Sequence, residues 1–162
     1  MTKILLIGKK SFLGSNLKLK LSQIYKVDNY SHEEIIKKNL SFIKNYSYVI
    51  NTAIHSHYVN NKYNKKYDLD RMFIEKFHQA GFFYIFLNTR KIYYPRKNIS
   101  ERSKLMPIDN YAKNKLTTEK FLKMRLRKKL ISLRISNVIG KRIFKNARNH
   151  HNLFFDNYLK FK

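Results

Sequence analysis

Cysteine is absent from this chain, so disulfides, thiolate nucleophiles and cysteine-ligated zinc are excluded. The absence fits a reducing cytoplasm, which is the expected location. Long apolar runs are missing too: no segment approaches the roughly 18 consecutive apolar residues of a membrane span. At the N-terminus the run Ile4 to Ile7 is flanked by lysines and is too short for the apolar region of a signal peptide. Proline occurs only twice, both times inside residues 93–107, which marks that stretch as a surface loop. Acid is scarce, with 10 Asp+Glu against 35 Lys+Arg and a net charge of +25. A surface that basic raises nucleic acid or an anionic membrane as partners. A rival account is that lysine simply fills solvent-facing positions, and the scatter of lysines through nearly every segment favours it. The densest basic run, KMRLRKK at 123–129, falls at a helix end, where cations complement the macrodipole.

What is present is enough for one compact domain, since 162 residues with 43% hydrophobic content supply a real core. The apolar spacing predicts a strand at 3–7, a helix through Phe12, Leu13, Leu17 and Leu21, and a strand at 24–28. Ser31 is then an N-cap, with Glu33 and Glu34 in the first turn of a helix running toward Asn45. Further strands are expected at 48–53, 82–87 and 130–135. Helices are expected at 68–80, stopped by Gly81, and at 108–127; residues 55–66 read as a loop. Strands that alternate with helices and lack polar alternation indicate a parallel sheet covered on both faces. The interval between Asp28 and Tyr48 is short, which predicts a reduced sheet. HNLFFDNYLKF, within 141–162, has the pattern of an amphipathic helix.

Three features carry chemistry. GKKSFLG, Gly8 to Gly14, follows the first strand and opens the first helix, where glycines permit a tight turn and the helix N-terminus aims N–H groups at a pyrophosphate. Ser11 stands at its middle position, where its Cβ crowds a phosphate or its hydroxyl donates to one. Asp28, at the end of the predicted second strand, is placed to bind a ribose 2′-hydroxyl and favour NAD, while Lys9 and Lys10 favour a 2′-phosphate; a turn aspartate is the plain alternative. Tyr111 and Lys115 lie four apart on one helix face, so an ammonium stands near a phenol that ordinarily titrates near 10 and favours its ionised form. Histidine pairs at His55/His57 and His150/His151 lack accompanying carboxylates at ligand spacing, so no metal site is expected.

The surroundings of these features resemble the extended short-chain dehydrogenase/reductase superfamily, in order along the chain. GKKSFLG resembles its G-x-x-G-x-x-G turn and NTA at 51–53 its N-x-A segment. FLNTRKIYY at 86–94 is similar to F-x-S-[ST]-x-x-V-Y-G. YAKNKLTTEKFL at 111–122 resembles Y-x-x-S-K-x-x-x-E-x-x-L, and LRISNVIG at 133–140 resembles L-R-x-x-N-V-Y-G. The resemblance covers about residues 3–140. It implies an α/β, Rossmann-type doubly wound parallel sheet of about five or six strands in a domain spanning 1–140, with 141–162 a basic tail beginning a substrate-binding region that is largely missing. It implies catalytic Thr89, Tyr111 and Lys115, with Tyr111 moving the proton, Lys115 lowering its pKa and binding the nicotinamide ribose, and Thr89 holding the substrate oxygen. NAD or NADP would be held by Gly8, Ser11, Phe12, Leu13, Gly14, Asp28, Asn51, Thr52 and Ala53, together with Tyr111 and Lys115. The expected substrate is a nucleoside-diphosphate sugar, contacted by Thr89 and Asn137, and a homodimer is the expected assembly. The competing class is a non-catalytic Rossmann module that binds dinucleotide or, through its basic surface, nucleic acid.

Overall fold

In the computed structural model, which describes residues 2–136 and Val138, five strands form one fully parallel sheet. They are β1 (Lys3–Ile7), β2 (Lys26–Tyr30), β3 (Tyr48–Asn51), β4 (Phe83–Thr89) and β5 (Leu130–Ile135), in the spatial order β2-β1-β3-β4-β5. The order reverses between β1 and β3, the crevice where open α/β sheets take their ligands. The strand count meets the low end of the expected five or six, and no strand intervenes between β2 and β3.

Alternation of side chains divides the packing. Ile4, Leu6, Val27 and Ile50 face α1 (Phe12–Leu21), which contributes Leu17 and Leu21. Leu5, Ile7, Val49, Tyr84 and Phe86 face the other way, onto α2 (His32–Ile36), α3 (Leu40–Ile43), α5 (Leu69–Phe77) and α6 (Asn110–Leu126). A short α4 (Ser56–Asn60) precedes α5. Burial of this larger cluster, with the Phe73 and Phe77 rings tilted at 48° and their centres 5.0 Å apart, supplies most of the hydrophobic stabilisation.

Several boundaries differ from expectation, each for a local reason. β2 begins two residues later than predicted because Ile24 and Tyr25 close the end of α1, both donating N–H groups to Leu21 O. Asp28 is therefore the middle residue of β2, paired with Leu5, and not its end. The single helix expected after Ser31 is two: Ser31 and Glu34 form a capping box for α2, and Asn39 starts α3 as a second N-cap. The stretch 55–66 is not all loop, since His55 caps α4. Gly81 stops its helix as expected, at φ +89°.

Candidate active site

The glycine turn is built by close approach. Gly8 sits at φ +115°, and a Cβ there would lie 2.3 Å from Thr52 Oγ1 and 2.9 Å from Ala53 N. At Gly14 a Cβ would lie 2.4 Å from Gly8 O and 2.6 Å from Thr52 Oγ1. Neither position admits a side chain, so the residues after β3 press directly on the turn. Thr52 Oγ1 donates its one proton to Ile7 O at 2.8 Å. Ser11 Oγ must then be the donor of the 2.7 Å bond to Thr52 Oγ1, and it accepts from Gly14 N at 2.9 Å as the N-cap of α1. Ser11 is thus turned inward, with no proton left for a phosphate. What the turn offers a ligand is backbone. The N–H groups of Phe12 and Leu13 open α1 without a partner among the described residues, at the positive end of its dipole.

From the other side of Thr52 a polar chain runs into the molecule. Asn51 Oδ1 accepts from Ala53 N, and its Nδ2 donates to Asp70 Oδ1 at 2.9 Å. Asp70 also accepts from Tyr84 Oη at 2.6 Å and stands 3.6 Å from Lys115 Nζ. Both members of that ion pair are buried, and the ammonium lies 4.5 Å from the centre of the Phe86 ring. Nearby, Asp68 caps α5 and accepts from Thr118 Oγ1 at 2.6 Å and Tyr63 Oη at 2.9 Å. Burial, and next the charge of Asp70, raise the Asp68 carboxyl above its ordinary pKa. Burial and then Asp70 likewise push the Tyr84 phenol well up.

Thr89 ends β4 and is buried; its Oγ1 accepts from Lys91 N at 3.3 Å, which leaves its own proton uncommitted. The start of α6 docks on the turn that follows. Ala112 packs with Ile92 and Tyr93, and Lys91 pairs with Asp109 at 3.3 Å. Half-buried Tyr111 is carried to the same end of the sheet. Asn114 fixes the helix further by donating to the carbonyls of Tyr58 and Asn61.

Gly8, Ser11, Gly14, Asn51, Thr52, Ala53 and Lys115 are thus one connected assembly, with Thr89 and Tyr111 at the same sheet end. Asp28 stands apart. Lys3 at 3.0 Å and Tyr46 Oη at 2.7 Å hold its Oδ2; burial works against ionisation there, but these partners outweigh it and the pKa is lowered. Its residue borders a cleft of about 520 Å³ between α1 and β2, with Lys9 and Lys18 on the rim. Asn137 and the tail 141–162 lie outside the described residues. His55 and His57 stack on Tyr67 at 4.6 and 4.1 Å, beside Ala53.

Sequence reasoning missed Asp70, the residue that joins Asn51 to Lys115. A signal was there: Asp70 shares the helical stripe of Phe73, Ile74 and Phe77, all buried, in a chain with little acid to spare.

No family model matches this chain, and no curated protein is similar to it in sequence. Solved structures are similar in fold. A UDP-glucuronic acid 4-epimerase from Bacillus cereus, in complex with NAD, superposes with a TM-score of 0.70 at 19% identity over 87% of this chain and 58% of its own. A dTDP-4-dehydrorhamnose reductase from Bacillus anthracis str. Ames, in complex with NADP, gives 0.70 at 17% identity, over 99% of this chain and 60% of its own. The dTDP-4-dehydrorhamnose reductase of Yersinia enterocolitica gives 0.69 at 15%, over 87% and 54%. At these identities the likeness establishes a Rossmann-type fold held in common. The chain spans between 54% and 60% of the length of these three structures.

Proposed function

We propose that this chain binds NAD or NADP across the carboxyl ends of β1 and β3, as the cofactor part of a sugar-nucleotide reductase, epimerase or dehydratase of the short-chain dehydrogenase/reductase superfamily. One observation carries the reading: Thr52 is wedged against Gly8 and Gly14, while its neighbour Asn51 holds Asp70, 3.6 Å from Lys115. A turn with open N–H groups and the helix bearing Tyr111 and Lys115 therefore meet where the strand order reverses.

The residues present fit the dinucleotide. Phe12 and Leu13 N–H groups receive its pyrophosphate, and the cleft beside Asp28 and Lys9 receives its adenosine end. Asp28 borders that cleft from mid-strand, while its carboxylate is engaged by Lys3 and Tyr46 on the sheet face away from α1. Once bound, the nicotinamide carries the hydride. The Thr89 hydroxyl donates to the substrate oxygen, Tyr111 gives or takes the proton there, and Lys115, anchored by Asp70, fixes that turn of α6 against the sheet. The substrate is a nucleoside-diphosphate sugar, an anion that a chain of +25 attracts.

A second reading, a dinucleotide-binding module without turnover, draws on Asp70, whose carboxylate engages Lys115, one helical turn from Tyr111. Calorimetric titration with NADH and NADPH, followed by assay on 4-keto sugar nucleotides, separates the two. Saturable binding with turnover that Tyr111→Phe abolishes supports the enzyme. Equal binding by both forms with no turnover supports the module, and no saturable binding of either nucleotide refutes both.

A further inference from the structure

The loop between β4 and α6 builds a feature that dinucleotide binding leaves unused. Arg90, Arg96 and Arg134 border one cleft of about 350 Å³ at the carboxyl ends of β4 and β5, with Tyr93 and Ser100 in its wall. Among the described residues no lysine lines it, although lysine is the commoner base of this chain. Scattered solvating lysine therefore does not account for it. Guanidinium groups present planar forks of N–H donors that match the oxygens of phosphate, which an ammonium does not.

Two of the three are braced. Arg134 donates to Tyr93 Oη and to Glu101 O at 3.4 Å, with its guanidinium carbon 4.9 Å from the Tyr93 ring centre. Behind it the buried Glu119 stands 3.5 Å from Nη2. Arg96 donates to Ser103 Oγ at 3.0 Å, and that oxygen also accepts from Ser100 N at 2.9 Å, which ties the arginine to its own loop. Arg90, exposed, has no ion pair among the described residues. Among the described residues two carboxylates answer these three cations, Glu101 in the lining of the cleft and Glu119 behind Arg134. Tyr93 Oη accepts from Arg134 and so keeps its own proton for a ligand.

We infer that this cleft is an oxyanion site for the phosphoryl group of a small ligand, separate from the glycine turn. With Arg134 paired to Glu119, Arg90 and Arg96 stand against Glu101 alone, and two guanidinium forks suit the oxygens of a phosphate where a carboxylate is satisfied by one. The volume matches a phosphorylated sugar and falls at the small end of ligand sites. The inference stands whether or not a dinucleotide occupies the turn.

The test is calorimetric titration of the full chain with inorganic pyrophosphate at 0.15 M salt. Two double variants remove the same charge: Arg90→Gln with Arg96→Gln, and Lys44→Gln with Lys120→Gln as the control, all four side chains being exposed. The expected result is a saturable site weakened about tenfold or more in the arginine pair and less than about twofold in the lysine pair. Equal losses in the two pairs, or heat that never saturates, would show attraction to net charge alone and overturn the inference. NADH titration of the arginine pair keeps the two proposals apart, because its affinity is expected to stay within about twofold of the parent.

Discussion

The two sides of the strand-end assembly bring chain against chain by opposite chemistry. Around Gly8, Gly14, Ser11 and Thr52 every contact is neutral, and what fixes the geometry is the absence of two side chains. Around Asp68, Asp70 and Lys115 three ionisable groups are buried, Asp70 pairing with Lys115 and Asp68 accepting from Thr118 and Tyr63. The first side is specified by shape and the second by charge. A shape-specified site fails when atoms are added; a charge-specified one fails when a partner is taken away.

The largest expected effect is at Gly8. Gly8→Ala and Gly81→Ala both force a Cβ onto a left-handed backbone, at φ +115° and +89°. At Gly81 the new atom makes only an ordinary van der Waals contact, with Lys129 Nζ at 3.5 Å, whereas at Gly8 it overlaps Thr52 Oγ1 at 2.3 Å. Gly81→Ala is expected to cost about 1 kcal/mol from backbone strain, and Gly8→Ala about 4 kcal/mol with loss of dinucleotide binding. Urea unfolding decides; equal losses at both sites would mean that shape does not specify the turn.

Charge specification is tested by a cycle. Lys115→Met leaves the Asp70 carboxylate buried beside Asn51 and Tyr84 alone, an expected loss of about 3 kcal/mol. Adding Asp70→Asn removes the uncompensated charge, so the double variant is expected to be more stable than Lys115→Met by about 1 kcal/mol. Additive losses would place the contribution of Lys115 in packing over Phe86 instead.

This division also explains what was legible in the sequence. β1 and β5 fall at the predicted residues because short apolar runs bounded by turns leave little freedom, and Gly8 and Gly14 identify themselves by position. Asp28 was misplaced along its strand because the end of α1 takes up Ile24 and Tyr25, a matter of helix closure that periodicity does not register. Whether Ser11 faces a phosphate or the protein depends on Thr52, 41 residues away, and only the fold brings them together. The burial of Asp68 and Asp70 follows from packing α5 against α6, which the helix expected at 68–80 does not itself reveal. The arginine cleft was hidden for a different reason, since Arg90, Arg96 and Arg134 are dispersed along a chain already crowded with cations.

The smallest expected effect separates the two sides by pH. His32 opens α2, which packs on α5 on the charged side; it is buried, and its Nε2 has no hydrogen-bond partner among the described residues. Burial lowers its pKa below the ordinary 6.5, against the opposing influence of a hydrogen bond to the Leu69 backbone and of the Glu33 and Asp70 charges. Because the folded state holds this imidazole neutral more strongly than the unfolded chain does, the unfolded chain binds more protons between the two pKa values. Stability from this group is therefore present above about 6.5 and falls as pH drops through the folded pKa. Asp68 works in the opposite sense, since burial raises its carboxyl and acid relieves the penalty, so the contribution of His32 has to be read as a difference. The urea midpoint of the parent is expected to fall between pH 7.5 and 5.5 more steeply than that of His32→Leu. Parallel profiles would mean that the imidazole protonates without cost in the folded chain, and that charge burial on this side is confined to the acids and Lys115.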